Sequence, residues 1–367
     1  MVKKEIIIFM PSIEGGGVEK NLFLVTNYLS EKIDKISLIT TSYKFKNRFN
    51  KKTNLILPTY KFWNNQDRRI KYFISLYLLL KIILRDRNVL VFAFQANLYC
   101  ILLCKLFGIK IIVRSNSAPE GWSKNFIKQY LYKSIINKAD KVMVNSFDFK
   151  KSMTKKFGVK PIVIYNPLNK LEIIKKSKNK VPNYFPKKKC LKIINVGRYV
   201  DQKDQMTLLR ALNYLKNKIN FFTIIMGHGI LRNKLLNYIY KNKLQNKVKL
   251  INFKDNPFPY IKQADLFILS SKYEGLPNTV LESIVLKKFV ISSNCPTGPR
   301  EILLNGKGGY LFTVGNYIEL SKKINYFYKN KKDSKKILNR AYAKLYRFDQ
   351  KENLKKYLDL INSTINK

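Results

Sequence analysis

Residues 274–282 read Glu-Gly-Leu-Pro-Asn-Thr-Val-Leu-Glu and place two carboxylates eight positions apart. The Gly-Leu-Pro turn ends at Asn278 or Thr279, and because either residue suits an N-cap, the pattern predicts a helix that begins there. Glu274 then lies in the loop before the helix, and Glu282 lies about one turn inside it. Backbone N–H groups at a helix N-terminus bind phosphate or sugar oxygens, and carboxylates accept hydrogen bonds from hydroxyls. The stretch therefore predicts a nucleotide-sugar site.

The length and composition indicate a folded protein of two domains. The chain has 367 residues, of which 46% are hydrophobic, enough for two domains that each bury a core. The longest apolar run, Tyr72–Leu80, is too short to span a bilayer. The apolar segment Ile6–Met10 is followed by Pro11 and by no small-residue cleavage site, so it predicts a buried strand rather than a signal peptide. We therefore expect a cytoplasmic protein.

The formal net charge of +48 has three explanations. A basic face can bind nucleic acid, and basic residues beside exposed apolar ones can bind anionic lipid. The third explanation is a lysine-rich composition on a solvated surface, which the even spread of lysines favours as a background. Residues 68–87 exceed that background, because this predicted helix is apolar on most faces and basic at its ends. Both a buried domain helix and a membrane-surface helix fit it.

Strands and helices alternate along the first half of the chain. Several strands are apolar throughout, as in a parallel sheet that is covered on both faces, so a doubly wound α/β domain is predicted for residues 1–168. The predicted strands are Glu5–Met10, Lys35–Thr40, Val89–Phe94, Ile109–Arg114, Lys141–Asn145 and Pro161–Ile164. The predicted helices are Glu19–Ser30, Ile70–Leu84, Asn97–Phe107 and Asn125–Asn137.

The alternation is interrupted and then restarts. Residues 169–190 are polar, basic and punctuated by proline, which predicts an interdomain linker. Residues 191–349 repeat the α/β pattern and predict a second doubly wound domain, and residues 350–367 show helical spacing of apolar side chains. Two such domains are expected to face each other across a cleft at the carboxyl ends of their strands.

Three further segments follow predicted strands. Gly15-Gly16-Gly17 precedes a helix and allows close approach of a ligand, but it has neither dinucleotide-fingerprint nor P-loop spacing. Arg198 and Lys203 follow a strand of the second domain, where a guanidinium and an ammonium suit a diphosphate. Residues 295–302 form a Gly-Pro turn into a short helix, with Arg300 as either a ligand contact or a surface residue. The single histidine, His228, is interpreted as a turn residue near the site rather than a general base.

The sequence does not indicate a metal site. Cys100 and Cys104 lie one helical turn apart without a nearby histidine, so core packing is expected. No Asp-x-Asp motif is present to hold Mg²⁺ or Mn²⁺ on a nucleotide diphosphate. We therefore expect no metal or other cofactor, with basic side chains neutralising the leaving group.

Taken together, these segments resemble the retaining family 4 glycosyltransferases, which have the two-domain GT-B fold. The resemblance is carried by Gly15–Glu19, by Val196–Arg198 with Lys203, by Met226–Gly229, by Ser270–Glu282 and by Pro299–Ile302. It implies two Rossmann-like domains facing a cleft, with a C-terminal helix that crosses back to the first domain. It also implies a donor-binding second domain and an acceptor-binding first domain.

The resemblance implies a role for each matching residue. Glu274 would contact the donor sugar, Arg198 and Lys203 would hold the diphosphate, and these three form the catalytic set. Glu282 would bind the ribose hydroxyls. The remaining donor-binding residues are Gly275, Leu276, Asn278, Thr279, Gly16, Gly17, Gly227 and Pro299. Many members have Asp where His228 stands, and many carry a histidine in the first domain where this chain reads Arg114-Ser115-Asn116-Ser117, so Asn116 and Arg114 are the acceptor-side candidates.

The implied activity is transfer of a hexose or N-acetylhexosamine from a nucleotide diphosphate sugar, with UDP as the commoner nucleotide and with retention of anomeric configuration. The acceptor is expected to be a lipid-linked sugar or oligosaccharide of capsule, lipopolysaccharide or glycan biosynthesis. An anionic membrane surface is the expected partner and nucleic acid is not, which predicts a peripheral protein on the inner face of the cytoplasmic membrane. The alternatives are a nucleotide-sugar epimerase of the same architecture and a basic membrane- or nucleic-acid-binding protein without catalysis.

Overall fold

The apolar runs of the sequence form two parallel sheets, each in its own unit. The computed structural model describes residues 4–14, 16–95, 97–116, 119 and 125–366. One unit comprises Met1–Pro167 with Gln350–Lys367, and the other comprises Leu168–Asp349. The chain thus leaves the first unit once and returns to it with its last segment.

The described part of the first unit contains a seven-stranded parallel sheet in the order β3-β2-β1-β4-β5-β6-β7. Its strands are β1 (Glu5–Phe9), β2 (Ile36–Ile39), β3 (Thr53–Ile56), β4 (Val89–Ala93), β5 (Lys110–Arg114), β6 (Lys141–Val144) and β7 (Ile162–Val163). The interior strand β1 pairs on both sides, with Ile8 opposite Leu38 of β2 and Phe92 of β4. Because it is covered on both faces, it is apolar almost throughout.

Helices cover both faces of this sheet. They are α1 (Gly17–Ser30), α2 (Arg68–Arg85), α3 (Asn97–Leu106), α4 (Phe126–Ile136), α5 (Phe147–Phe157) and the C-terminal α14 (Gln350–Ile365). Ile7 and Phe9 point into a core shared with α2 to α5, which contains Cys100 and Cys104, so their expected core position is confirmed. Ile6 and Ile8 point to the opposite face, where α1 and α14 pack. The predicted return of the last helix to the first domain is therefore confirmed.

The second unit contains a six-stranded parallel sheet in the order β10-β9-β8-β11-β12-β13. Its strands are β8 (Leu191–Val196), β9 (Phe221–Gly227), β10 (Val248–Asn252), β11 (Leu266–Leu269), β12 (Phe289–Ser293) and β13 (Tyr310–Phe312). Its helices are α6 (Lys170–Lys176), α7 (Gln205–Leu215), α8 (Arg232–Lys241), α9 (Phe258–Gln263), α10 (Asn278–Val285), α11 (Pro299–Ile302), α12 (Tyr317–Lys329) and α13 (Lys331–Ala343). The α/β class with two doubly wound domains is confirmed.

The interval 169–190 differs from the predicted linker, because it begins with the helix α6 and belongs to the second unit. The side chain of Asn169 caps this helix by accepting a 2.9 Å hydrogen bond from the Glu172 amide. Ile173 is buried, and the helix contacts α9 and α10. The sequence gives little sign of this helix, because it has only seven residues, several of them lysine, and Ile173 is its one buried side chain.

No helix in the described part of the chain combines the length and the apolar character that crossing a membrane requires.

Candidate active site at the carboxyl edge of the second sheet

The residues singled out in the second unit come together because they follow neighbouring parallel strands. Arg198 and Lys203 follow β8, His228 follows β9, Glu274 follows β11, and residues 294–299 follow β12. In a parallel sheet the carboxyl ends of all strands lie at one edge, so these segments converge although up to a hundred residues separate them in sequence. The edge is where ligands bind in open α/β sheets.

A buried ion pair joins two of the predicted catalytic residues. Lys203 Nζ lies 2.5 Å from Glu274 Oε1, and the two side chains are only 19% and 8% exposed. Ser271 Oγ donates a 2.6 Å hydrogen bond to the same carboxylate oxygen. Removing one partner of a buried pair leaves an uncompensated charge, which typically costs about 3–5 kcal/mol. The pair and the serine therefore fix the position of the Glu274 carboxylate.

The loops that carry this pair are hydrogen-bonded to each other along their backbones. Gln202 accepts a 2.8 Å bond from the Lys272 amide at its carbonyl, and its side-chain amide donates to the Tyr273 carbonyl at 2.9 Å. Ser270 Oγ donates to the Lys203 carbonyl at 2.9 Å. The segment after β8 and the segment after β11 are thus held as one surface, so the ammonium and the carboxylate are positioned by rigid backbone.

The turn after β12 supports Glu274 from the other side. Thr297 Oγ1 donates to the Glu274 carbonyl, and Ser293 Oγ donates to the Ser271 carbonyl at 2.6 Å. Gly298 has φ +80°, and a Cβ placed on it would lie 2.3 Å from the Gly275 carbonyl oxygen. Only glycine combines this backbone conformation with such close approach, so the Gly-Pro turn is explained by its packing against the 274–277 loop.

Cys295, in the same turn, is buried beneath the site. Burial, and secondarily the neighbouring Glu274 carboxylate, raise the pKa of its thiol to about 12. It is therefore a protonated thiol at neutral pH and an unreactive part of the wall.

The Met226–Gly229 segment packs directly on the exit of β8. A Cβ on Gly227 would lie 2.0 Å from the Gly197 carbonyl oxygen, so glycine is required there by contact. The His228 carbonyl accepts a 2.7 Å bond from the Tyr199 amide, while its imidazole is exposed and lies edge-on to the Phe253 ring at 5.4 Å. His228 thus lies in a turn at the same edge.

The helix of the 274–282 stretch starts one residue earlier than an Asn278 cap would place it, and two residues earlier than a Thr279 cap would. Helix α10 begins at Asn278, and Pro277 occupies the N-cap position with extended backbone (φ −72°, ψ 105°). The N-cap prediction was wrong because Pro277, with ψ 105°, is the last extended residue and Asn278 is already helical. Proline has no side-chain oxygen that could cap the helix, and its carbonyl accepts a 3.1 Å hydrogen bond from the Val280 amide.

The other predicted donor-side residues lie around this helix start and the β8 exit. Glu282 is the fifth residue of α10 and is buried, as are Gly275 and Leu276, whereas Thr279 is partly exposed. Pro299 is buried as the first residue of α11. Arg198 is exposed at the end of β8, and its carbonyl accepts a 2.9 Å bond from the Gln205 side chain.

In the first unit, the glycine loop lies at the start of α1. Gly16 is the N-cap and Gly17 the first helical residue, whereas Gly15 lies outside the described residues. The buried Glu19 lies alongside, since a Cβ on Gly16 would lie 2.9 Å from its Oε2. The Glu19 carboxylate also accepts a 3.4 Å bond from the Glu14 amide, so it braces this loop.

The acceptor-side candidates bond within the first unit. The fully buried Arg114 donates to Asn116 Oδ1 at 2.5 Å and to Asn166 Oδ1 at 2.9 Å, and its guanidinium lies over the Phe94 ring. The Asn116 amide donates to the Phe94 carbonyl at 2.6 Å. Ser117 lies outside the described residues. Both side chains therefore hold the loop after β5.

Sequence reasoning missed the residues that support Glu274. These are Gln202, Ser271, Ser293 and Thr297, which lie at the ends of three strands or in the segments that follow them. Their one signal in the sequence is this position near the carboxyl ends of buried strands, where polar side chains indicate a site. Within the ranges that the structure describes, no three His, Cys, Asp or Glu side chains are grouped so as to hold a metal ion.

Two protein-family models match the chain, one in each half. Residues 161–344 match the model described as "Glycosyl transferases group 1", and residues 15–170 match "Glycosyltransferase Family 4". Both matched ranges contain the segments that form the edges described above.

Similar proteins extend this match. An uncharacterized glycosyltransferase of Methanocaldococcus jannaschii is 38% identical over 55% of this chain and 53% of its own length. An N-acetylgalactosamine-N,N'-diacetylbacillosaminyl-diphospho-undecaprenol 4-alpha-N-acetylgalactosaminyltransferase of Campylobacter jejuni is 26% identical over 69% of this chain and 70% of its own length.

Solved structures show the same fold. A glycosyltransferase of Rickettsia africae has a TM-score of 0.78 at 21% identity, covering 100% of this chain and 99% of its own. HepE of Anabaena, solved in complex with UDP, has a TM-score of 0.76 at 17% identity, covering 98% of this chain and 100% of its own. The two parallel-sheet domains are thus those of the GT-B fold, and the chain belongs to the group 1 glycosyltransferase family.

Proposed function

We propose that this protein transfers a hexose or N-acetylhexosamine from a nucleotide diphosphate sugar to a lipid-linked or glycan acceptor, with retention of anomeric configuration. The observation that carries the proposal is the buried Lys203–Glu274 pair beside the start of α10. A cation, a carboxylate and helix N-terminal amides together match the phosphates and hydroxyls of such a donor.

On the donor side, Lys203 and Arg198 bind the diphosphate, Glu274 accepts hydrogen bonds from the sugar, and Glu282 binds the ribose. The nucleotide is UDP, a choice supported by the fold neighbour HepE, which has been solved with UDP and with UDP-glucose. When the donor binds, the Lys203 ammonium exchanges part of its contact with Glu274 for the diphosphate. The carboxylate remains fixed by Ser271.

Catalysis rests on stabilising the departing diphosphate. As the bond from the anomeric carbon to the phosphate oxygen lengthens, negative charge grows on the diphosphate and positive charge on the sugar ring. Lys203, Arg198 and the amides of α10 face the first charge, and such preorganised stabilisation is usually the largest catalytic contribution. The acceptor hydroxyl attacks from the same side, and a leaving-phosphate oxygen takes its proton. No metal ion is needed in this scheme.

The acceptor is a lipid-linked sugar used to build a surface polysaccharide such as capsule or lipopolysaccharide. The printed names of relatives support this, since one from Campylobacter jejuni acts on a diphospho-undecaprenol sugar and one from Erwinia amylovora belongs to amylovoran biosynthesis. An acceptor of this kind places the enzyme at the inner face of the cytoplasmic membrane, as a peripheral protein.

A donor screen tests the proposal. Purified protein is incubated with UDP- and GDP-sugars, and the release of nucleoside diphosphate and the sugar product are measured. We expect turnover with one UDP-sugar and its loss in Lys203→Ala. Lys272→Ala is the matched control, because Lys272 forms a 2.7 Å ion pair with Asp201 in the same loops but at an exposed position. Turnover in Lys203→Ala equal to that of the control, or conversion of the donor to its epimer, would contradict the proposal.

A further inference from the structure

Three neighbouring helices of the first unit expose apolar side chains on their outer faces. The exposed residues recur at spacings that place them along one side of each helix. They are Ile70, Phe73, Tyr77 and Leu84 on α2, Tyr99, Leu102 and Leu106 on α3, and Phe126, Ile127, Tyr130 and Leu131 on α4. Helix α2 contacts α3, and α3 contacts α4. We call these eleven residues the three-helix surface.

The core does not account for these side chains. The opposite side of each helix already packs on the sheet, through Leu79 and Ile83 of α2, Cys104 of α3 and Ile136 of α4. Phe73, Leu106 and Phe126 are 79%, 77% and 81% exposed. Single exposed apolar residues are ordinary on a soluble protein, but a set of this size on adjacent helices marks an interaction surface.

The charge of the same helices indicates what the surface contacts. Helices α2, α3 and α4 contain eight lysines and arginines and neither aspartate nor glutamate. The Lys81 ammonium lies 4.6 Å from the centre of the Tyr77 ring, so basic and aromatic groups are intermixed. Helix α13 differs from these three helices, because it is also rich in lysine but has no large exposed apolar side chain. Basic composition alone therefore does not produce this combination.

We propose that the three-helix surface docks on an anionic lipid bilayer. Phenylalanine, leucine and isoleucine enter the boundary between headgroups and acyl chains, tyrosines lie at headgroup level, and lysines and arginines contact lipid phosphates. In this proposal the two interpretations of residues 68–87 apply to opposite sides of one helix: one side packs on the sheet, and the exposed side contacts the membrane. The inference deepens the proposed lipid-linked acceptor and rests on it for its biological sense, but its test needs no acceptor.

Vesicle co-sedimentation tests the proposal. The full chain is mixed at low salt with vesicles of phosphatidylcholine alone or of phosphatidylcholine with phosphatidylglycerol. We expect binding to the anionic vesicles, and at least a tenfold loss of it in the triple variant Phe73→Ser/Leu106→Ser/Phe126→Ser, since these three side chains supply apolar area that would be buried on binding. The matched control is Leu171→Ser/Tyr240→Ser/Tyr346→Ser, three exposed positions of the second unit, which should bind as wild type.

Two results would overturn the proposal. One is wild-type affinity in the triple variant. The other is a wild-type dimer in light scattering that the triple variant loses, because the surface would then cover a second copy of this chain. Donor hydrolysis in solution separates this inference from the proposed function: the triple variant should hydrolyse a nucleotide sugar as wild type does. If no variant hydrolyses any donor but the vesicle result holds, the function fails and the surface stands.

Discussion

The two sheets have the same order for their first six strands, but the charged residues at their carboxyl edges have different partners. At the edge of the second sheet, Lys203 and Glu274 form a pair that loops from three strands support. At the edge of the first, Arg114 is buried and bonds to the amide oxygens of Asn116 and Asn166. The topology determines at which edge of a sheet a ligand can bind. The side chains that follow the strands determine whether the charges at that edge can face a ligand or instead form hydrogen bonds within their own loop.

The largest effect is expected from Glu274→Gln. The amide keeps the shape of the side chain but removes the charge that faces Lys203 and the sugar, so we expect turnover to fall by about a hundredfold to a thousandfold. The measurement is kcat with the best donor, with circular dichroism to confirm folding. Turnover within a few-fold of wild type would remove Glu274 from the catalytic set.

The corresponding change in the first unit is Arg114→Met, which we expect to act on stability. It removes the guanidinium that donates to the amide oxygens of the buried Asn166 and the partly exposed Asn116, and the loss of a hydrogen bond to a charged group typically costs about 1.5–3 kcal/mol. Chemical denaturation should show a lower free energy of unfolding, while donor hydrolysis per folded molecule stays near wild type. If stability is unchanged and transfer to the acceptor substrate is lost, Arg114 binds that substrate. The charged residues at both edges would then bind substrates.

Gly298→Ala tests whether the turn after β12 supports the second edge. The substitution combines a strained φ of +80° with a clash against the Gly275 carbonyl, and about 1–3 kcal/mol of stability should be lost. The control is Gly306→Ala, which has φ +92° but nothing within 4 Å of the added Cβ. If both variants lose the same stability by denaturation, the clash contributes nothing and the turn is not a support.

The smallest effect is expected from Asp204→Asn, at the start of α7. Burial raises the pKa of the Asp204 carboxyl above its ordinary value, so its ionised form is disfavoured in the folded protein. Above that pKa the charge costs stability, and the cost disappears as pH falls and the group protonates. Asparagine keeps the oxygen that accepts from the Thr207 amide, so the cap is retained. The variant should therefore unfold at a higher temperature than wild type at neutral pH, and this gain in melting temperature should shrink toward acidic pH. A gain independent of pH would exclude the charge as its cause.

The sequence predicted most of the fold, because apolar strands and helical spacing are local signals. It missed β3, whose Thr53–Ile56 segment is short and stands among polar residues, and it missed α6 within the predicted linker. It also predicted the residues at the second edge, through their positions after strands. The sequence could not predict the contacts of Glu274 with Ser271 and Thr297, because these contacts depend on how the loops pack in three dimensions.

The two faces of α2 show the same limit. A helix that is apolar on most sides fits burial and membrane contact equally well from sequence alone. Only the packing of Leu79 and Ile83 on the sheet shows which side remains for a partner. The identity of the donor sugar depends on the packing of side chains in the same way, and the donor screen determines it.

Calorimetric titration with UDP tests where the donor binds, because it compares the carboxyl edges of the two sheets without requiring the acceptor. We expect Lys203→Ala to weaken UDP binding at least tenfold, since a charged hydrogen bond to phosphate contributes about 1.5–3 kcal/mol. Arg114→Met should leave the Kd unchanged. Equal affinity in wild type and Lys203→Ala, or a loss confined to Arg114→Met, would contradict the placement of the donor site at the edge of the second sheet.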